Sequence, residues 1–300
     1  MIVVAGESLV DVLPEPTGEV VGGSPLNVAV ALGRLDVPCL LITEVGDDAR
    51  GAAVVETVTA SGCEIVAAPS SGGRTATATA RLDEQGDATY SFDLSWTLPP
   101  QELPACDALH IGSLGTLLDP GRTSVLDLVD QAYARDVPVS YDPNLRAAFI
   151  EDPAQARGDV EALAERCRLV KLSEQDAALL HPGADPGDIA RSLLEGERTE
   201  LVVLTRGRYG ATGYAEHLEV HIDAPRVDVV DTIGAGDAFT AALLTVLLES
   251  GALGGYGPGM PADEDTVAGL LTAANEVAAL TCARRGAQPP LRAELPQHWP

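Results

Sequence analysis

The segment Asp231-Thr232-Ile233-Gly234-Ala235-Gly236-Asp237 leads straight into the apolar stretch Ala238–Leu244. Glycines at 234 and 236 let the backbone approach a ligand without interference from side chains. The first N–H groups of the helix that follows have no intrahelical acceptor and lie at its positive end, so the turn is an anion site suited to a phosphate. Asp237, in the first helical turn, has two readings. It either complements the helix dipole, or accepts the proton of a hydroxyl attacking a phosphate held by those N–H groups. A dinucleotide fingerprint is disfavoured, because Phe239 stands where its third glycine belongs and the motif lies late in the chain.

Ligands of open parallel sheets bind beyond the carboxyl ends of the strands. Gly6-Glu7-Ser8-Leu9-Val10-Asp11 follows the first apolar run, and Asp142-Pro143-Asn144-Leu145-Arg146 follows Val137–Tyr141. Ser173-Glu174-Gln175-Asp176 follows Leu169–Leu172, and Thr205-Arg206-Gly207 follows Leu201–Leu204. Any one of these could be a solvated loop; four together, from strands distant in sequence, favour a site on one sheet edge. Other constellations carry less. His217 and His221 are four apart, yet Leu218–Ile222 reads as a strand and no Glu follows His217, so no metal site is expected there. His110 reads as a hydrogen-bonded core residue. Neither Ser8 nor Ser113 has the Gly-x-Ser-x-Gly context of acyl transfer.

The elements that must position these groups follow from the hydrophobic pattern. Short β-branched runs alternate with amphipathic stretches, the pattern of a parallel sheet wrapped by helices. Strands are expected at Ile2–Ala5, Leu40–Val45, Ala108–Ile111, Val137–Tyr141, Leu169–Leu172 and Leu201–Leu204. Helices are expected from Ser24-Pro25, with Ser24 as cap, and over Arg50–Ala60, Thr123–Ala134, Ala154–Arg166, Ala235–Ser250 and Asp265–Cys282. One region breaks the rhythm. Thr75–Leu82 alternates with period two, Asp83–Asp87 supplies a turn, and Ala88–Phe92 returns, which is an antiparallel hairpin. It is either an edge of the main sheet or a small lid over a site. Gly251–Pro261 reads as a linker between the last two helices.

The 300 residues include 19 Lys+Arg against 45 Asp+Glu, a net charge of −26. The only lysine is Lys171, in Val170-Lys171-Leu172, so there is no P-loop, and Asp-Phe-Gly and His-Arg-Asp are absent too. A field this negative repels phosphate backbones and argues against nucleic acid as a partner. The 5 cysteines are scattered and lack a C-x-x-C pair, the usage of reduced thiols in a cytoplasm. Met1–Glu7 has no basic n-region and reads as a strand, so no signal peptide is expected. The longest apolar run, Ala238–Leu248, is too short to span a bilayer.

Asp231-Thr-x-Gly-Ala-Gly-Asp237 resembles the C-terminal signature of ribokinase-like (PfkB-type) carbohydrate kinases, and Gly22-Gly23-Ser24-Pro25-Leu26-Asn27 through Leu35 resembles their N-terminal motif. The likeness runs from Val4 to Gln288. Gly6-Glu7…Asp11, Gly23-Ser24-Pro25, Asp142-Pro143-Asn144-x-Arg146 and Cys282-x-Arg284-x-Gly286-Ala287 look most like bacterial fructokinases, with 2-keto-3-deoxygluconate kinases the nearest competitor.

The resemblance implies one α/β domain over residues 1–300, a central mostly parallel sheet flanked by helices, and a β-strand lid from about 12–22 and 70–98. It implies a cytoplasmic kinase using ATP and Mg²⁺, with K⁺ as a further cation, on a primary hydroxyl of a small sugar, fructose first. A ribokinase or nucleoside kinase of the same fold, or a sugar-binding regulatory protein without turnover, are the alternatives. Asp237 matches the catalytic base, and Gly234, Ala235 and Gly236 its anion hole. Asp11, Gly23, Asn27 and Arg146 match sugar ligands; Thr205, Gly207, Gly210 and Asn275 match the nucleotide site. Asp231, Ile233 and Gly286 fall where the family holds a monovalent cation. The family's Asn-x-x-Glu metal motif is replaced by Ser173 and Asp176, which leaves Asp176 and Glu174 as the carboxylates near Mg²⁺. A homodimer through the lid is a further expectation, because an exposed hairpin edge seeks pairing.

Overall fold

In the computed structural model, residues 1–14, 17–82, 88–253 and 259–299 are described. The turn expected at Asp83–Asp87 and part of the expected linker, 254–258, lie outside them. The chain begins with β1 (Ile2–Ala5), β2 (Leu9–Leu13), β3 (Gly18–Gly22) and α1 (Ser24–Arg34). It continues through β4 (Cys39–Val45), α2 (Ala49–Ala60), β5 (Glu64–Pro69), β6 (Thr77–Leu82), β7 (Ala88–Asp93) and β8 (Ala108–Gly112). The middle third holds α3 (Gly121–Ala134), β9 (Val139–Asp142), α4 (Pro153–Ala164), β10 (Leu169–Ser173), α5 (Glu174–Leu180) and α6 (Pro186–Leu193). The last third holds β11 (Leu201–Thr205), β12 (Ala211–Ala215), β13 (Leu218–Ile222), α7 (Ala235–Glu249) and α8 (Glu264–Cys282).

The apolar runs that read as buried strands form one sheet in the order β13-β12-β11-β10-β9-β8-β1-β4-β5. Pairing is parallel from β5 to β11, while β12 and β13 are added antiparallel. Helices cover both faces, which is why strands such as β1 and β8 are buried throughout rather than alternating. One core packs α1, α7 and α8 against the sheet around Leu41, Leu169 and Val203. The other packs α3, α4 and α6 around Tyr141, Val170 and Leu204. Four helices use an aspartate cap: Asp48, Asp152, Asp185 and Asp263 accept backbone N–H groups at the starts of α2, α4, α6 and α8, each worth about 1 kcal/mol.

One expectation changes here, and one open alternative closes. Ser24 does not cap α1. Gly23, at φ 109°, occupies the cap position and Ser24 is the first helical residue, its hydroxyl engaged elsewhere. The hairpin is not an edge of the main sheet. β6 and β7 belong to a separate four-stranded sheet ordered β3-β2-β6-β7, in which Val10 pairs with Thr77 and Ala78 with Phe92. That sheet touches the main body where the Phe92 and Phe149 rings meet edge to face at 4.7 Å, and where Arg50 of α2 pairs with Glu19 of β3. Among the described residues no helix is long and apolar enough to cross a membrane, and the cysteines are all free.

Candidate active site

The first turn of α7 is built for close approach. Gly234 lies at φ 74°, and a Cβ there would come within 2.6 Å of the Ala287 Cβ. The Ala235 N–H reaches the Thr232 carbonyl at 3.3 Å, whereas N–H groups of a first turn generally find no acceptor within their own helix. Asp237, one turn in, is buried yet well supplied with donors. Ser24 Oγ donates to Oδ1 at 2.7 Å, Asn27 Nδ2 to Oδ2 at 2.8 Å, and Asn144 Nδ2 to Oδ1 at 3.5 Å. Burial pushes the Asp237 carboxyl above the usual range, against the pull of those hydrogen bonds and of the Lys171 and Arg146 charges. The structure thus joins the N-terminal and C-terminal motifs, 210 residues apart in the chain, through one carboxylate.

Of the residues expected to hold the sugar, Asn27 touches that carboxylate and Arg146 acts on it through its charge. Gly23 packs so closely on the β1–β2 connection that a Cβ would come 2.8 Å from the Glu7 carbonyl. Asp11 is half-buried on β2, its carboxyl raised by burial and lowered by the charge of Arg146. Arg146 folds back on its own loop, Nη1 donating to Asn144 Oδ1 at 2.6 Å and to the Leu145 carbonyl at 3.1 Å. Asn144 itself sits at φ 39°, in the left-handed region that Asn tolerates better than most residues. Glu7 is wholly buried, accepts from the Gly115 N–H at 2.7 Å, and is pushed up to about 7 by burial.

On the β11–β13 side, Gly207 (φ 52°) and Gly210 (φ 90°) shape the turn after Thr205. A Cβ at Gly210 would strike the Ile222 carbonyl at 2.0 Å, and Asn275 of α8 donates to that same carbonyl at 3.2 Å. Thr205, Gly207, Gly210 and Asn275 therefore collect at one end of the sheet. Asp231, Ile233 and Gly286 are also brought together: Asp231 Oδ1 accepts from the Ile233 N–H at 3.1 Å and Oδ2 from the Gly286 N–H at 2.9 Å.

The carboxylates expected near Mg²⁺ behave differently. Asp176 forms a capping box with Ser173 at the start of α5 and accepts the Leu145 N–H at 2.7 Å, so both of its oxygens already serve protein donors. Glu174 stands 3.7 Å from Arg206. Among the described residues no cluster of three or more His, Cys, Asp or Glu could hold a metal ion. His217 is exposed, and His221 bonds to Thr212 on the neighbouring strand. His110 is a core residue bonded to Ser140, as expected.

Three residues of the site lacked an assigned role in the sequence. Ser24 reads as a cap because Ser-Pro opens a helix; only the fold shows its hydroxyl turned to Asp237. Asn144 stood unassigned within the Asp142–Arg146 motif. Lys171 faces neither solvent nor the sheet edge: it is buried beneath α7, its Nζ 2.8 Å from Asp142 Oδ2. The one-residue alternation of β10, with Val170 in the opposite core, was the available signal.

Known proteins resemble this chain along most of its length. The family model described as "pfkB family carbohydrate kinase" matches residues 6–294. A fructokinase of Rhizobium leguminosarum bv. trifolii is 35% identical over 267 residues, covering 82% of this chain and 79% of that one. A fructokinase of Salmonella typhimurium is 30% identical over 295 residues, 95% of this chain and 94% of that one. The solved fructokinase from Xylella fastidiosa with bound ATP superposes with a TM-score of 0.80 at 25% identity, covering 97% of this chain and 95% of that chain.

Proposed function

The chain belongs to the pfkB family of carbohydrate kinases, and from that premise we propose that it transfers the γ-phosphoryl group of ATP to a primary hydroxyl of a small sugar, D-fructose first. The observation that carries this is Asp237, buried at the first turn of α7 and touched by Ser24, Asn27 and Asn144. In the reaction Asp237 takes the proton of the sugar hydroxyl as its oxygen attacks the γ-phosphorus. The bond from that phosphorus to the bridging oxygen breaks, and ADP leaves. The N–H groups of Gly234, Ala235 and Gly236 face the charge spread over the phosphoryl oxygens. Asp11, Gly23, Asn27 and Arg146 hold the other sugar hydroxyls, since carboxylate, amide and guanidinium groups suit a polyol. Thr205, Gly207, Gly210 and Asn275 take the nucleotide. Fructose leads because the curated relatives quoted above are fructokinases.

ATP chemistry calls for a divalent cation, Mg²⁺ by expectation. The residues present build no cage for it, because Asp176 is committed to a helix cap and Glu174 to Arg206. An ion carried by the nucleotide phosphates is the form consistent with this site. The loops joined by Asp231 are the place for a monovalent cation such as K⁺, held largely by backbone carbonyls, since both Asp231 oxygens already accept N–H groups. The four-stranded sheet is the lid, closing over the sugar to exclude water as a competing acceptor. Its outer strands β3 and β7 offer edges for a homodimer. The place of action is the cytoplasm, where ATP and free thiols both persist.

The test is an ADP-release assay with ATP and a panel of D-fructose, 2-keto-3-deoxygluconate and D-ribose, run on the wild type and on Asp237→Asn. Fructose should give the highest kcat/KM, and the variant should lose about 10²- to 10⁴-fold in kcat. A variant within about tenfold of wild type removes Asp237 as the base, and no sugar-dependent turnover at all leaves a binding protein.

A further inference from the structure

The chain has a single lysine, and it is one of the least expected residues to bury. Lys171 is 4% exposed, in the middle of β10 on the face that carries α7. Its Nζ donates to Asp142 Oδ2 at 2.8 Å, and no second protein acceptor meets it among the described residues. A lysine ammonium has three N–H donors. Asp142 is as deeply buried, and its Oδ1 has no donor at all. The Thr240 hydroxyl, one turn beyond Gly236 on α7, lies 3.4 Å from Asp142 Oδ2. A Cβ on Gly236 would come within 3.3 Å of the Lys171 Nζ. The ammonium therefore sits directly behind the first turn of α7, on the side away from solvent, and a glycine is what leaves it room.

A buried ion pair with spare hydrogen-bonding capacity on both partners is poor as a stabilising device. Its position suggests another use. We propose that Lys171 is a positioning residue for phosphoryl transfer, a fixed cation beneath the α7 turn that adds to the field of its N–H groups and keeps Asp237 ionised. The inference rests on the reading of Asp237 as the base. The groups facing the ammonium are Asp142 from β9, Asp237 from α7, Asp176 from α5 and His110 from β8. Three can be negative. His110 stays neutral, pushed down to about 3 by burial and by the lysine's own charge. Lys171 in turn lowers the Asp237 carboxyl, so removing the ammonium raises it, and the acid limb of the pH–rate profile must move to higher pH.

The experiment compares Lys171→Met with the double variant Lys171→Met/Asp142→Asn. The double variant removes both charges and leaves no uncompensated carboxylate, so it should fold even where the single variant does not. Both should lose about 100-fold in kcat, with the fructose KM within about threefold; in Lys171→Met the acid limb moves upward, whereas in the double variant loss of the neighbouring Asp142 charge offsets that move. A double variant with kcat within about fivefold of wild type, or a single variant that folds with its acid limb unmoved, overturns the proposal, since compensation of Asp142 would then be the lysine's whole task. A readout free of mutation exists because there is one lysine. In protein labelled with ¹³Cε-lysine, the single resonance should shift when AMP-PNP and fructose bind together, and an unchanged resonance also overturns the proposal. The two readings fail separately. Turnover retained by Asp237→Asn removes the base, whereas turnover abolished by Asp237→Asn but kept by the double variant removes only the role of Lys171.

Discussion

Glu7 is a buried carboxylate. Its Oε2 accepts the Gly115 N–H, and burial still pushes it up to about 7 from an ordinary 4.5. The native state therefore binds a proton that the unfolded chain releases above pH 4.5. Stability held by the protonated form is complete below pH 4.5 and is lost as pH rises to about 7, an effect of about 3 kcal/mol. Asp142, pushed up by burial from an ordinary 3.8 to about 6, adds a loss between those two values, a window that only overlaps this one. Glu7→Gln should abolish only its own share. The difference between wild-type and variant urea stabilities should then change by about 3 kcal/mol between pH 4.5 and pH 7. A difference constant to within about 0.5 kcal/mol would show that the Glu7 carboxyl titrates as it does in water. At this scale the sequence is legible where chemistry imposes a pattern, and silent where two distant segments meet. Asp237 and the glycines before it declare themselves by spacing. The Ser24 hydroxyl does not, because Ser-Pro has a sufficient local explanation as a cap, and its partner lies 213 residues away.

The start of α7 is where one element's geometry carries the site, and Gly234 is its least replaceable residue. Its φ of 74° is in the left-handed region, and any Cβ meets Ala287 at 2.6 Å. Gly234→Ala adds about 1–2 kcal/mol of backbone strain and about 1–3 kcal/mol of overpacking. Urea unfolding should show a loss of about 2–5 kcal/mol, together with reduced kcat as the N–H groups shift; a loss below about 1 kcal/mol would mean the turn relaxes freely. The same helix was readable in outline from its apolar run, as were the parallel strands other than β5, whose residues at the edge of the sheet are mostly exposed. The strands of the small sheet divide. β6 and β7 were readable because Thr75–Leu82 alternates beside a turn, so its pairing is local. β3 lies within the 12–22 lid segment that the family resemblance implied, but no local pattern marks β2, which takes its second neighbour from β6, with Val10 opposite Thr77; nothing in Leu9–Leu13 encodes a partner that far away. β12 escaped for another reason. Apart from Tyr214, which is buried in the opposite core, Ala211–Ala215 is made of small residues; α8 packs close on it, with Val267 Cγ1 only 2.8 Å from where a Gly213 Cβ would be, and small residues weaken the apolar signal that marks a buried strand.

At the scale of the whole molecule, a net charge of −26 confronts a substrate that is itself a polyanion. Surface arginines are largely spent on surface pairs, as with Arg168 and Glu200 or Arg292 and Glu249, and 19 cations cannot offset 45 carboxylates. The long-range field therefore repels nucleotide, and on the proposed reading attraction comes from groups close to it: the first-turn N–H groups of α7, Arg146 and, beneath the turn, Lys171. These two parts respond differently to salt. Moving from about 0.02 M to about 0.5 M ionic strength shortens the screening length from roughly 20 Å to roughly 4 Å, which erases the distant repulsion while leaving close and partly buried contacts largely intact. The kcat/KM for ATP should accordingly rise with ionic strength, by about twofold or more, before direct competition by anions sets in. Fructose is neutral, so its kcat/KM at saturating ATP should stay flat over the same range. Choline chloride is the appropriate salt, because K⁺ could also act at the loops joined by Asp231. A kcat/KM for ATP that falls steadily from the lowest salt would mean the local cations outweigh the whole acidic surface at the distances from which nucleotide is captured.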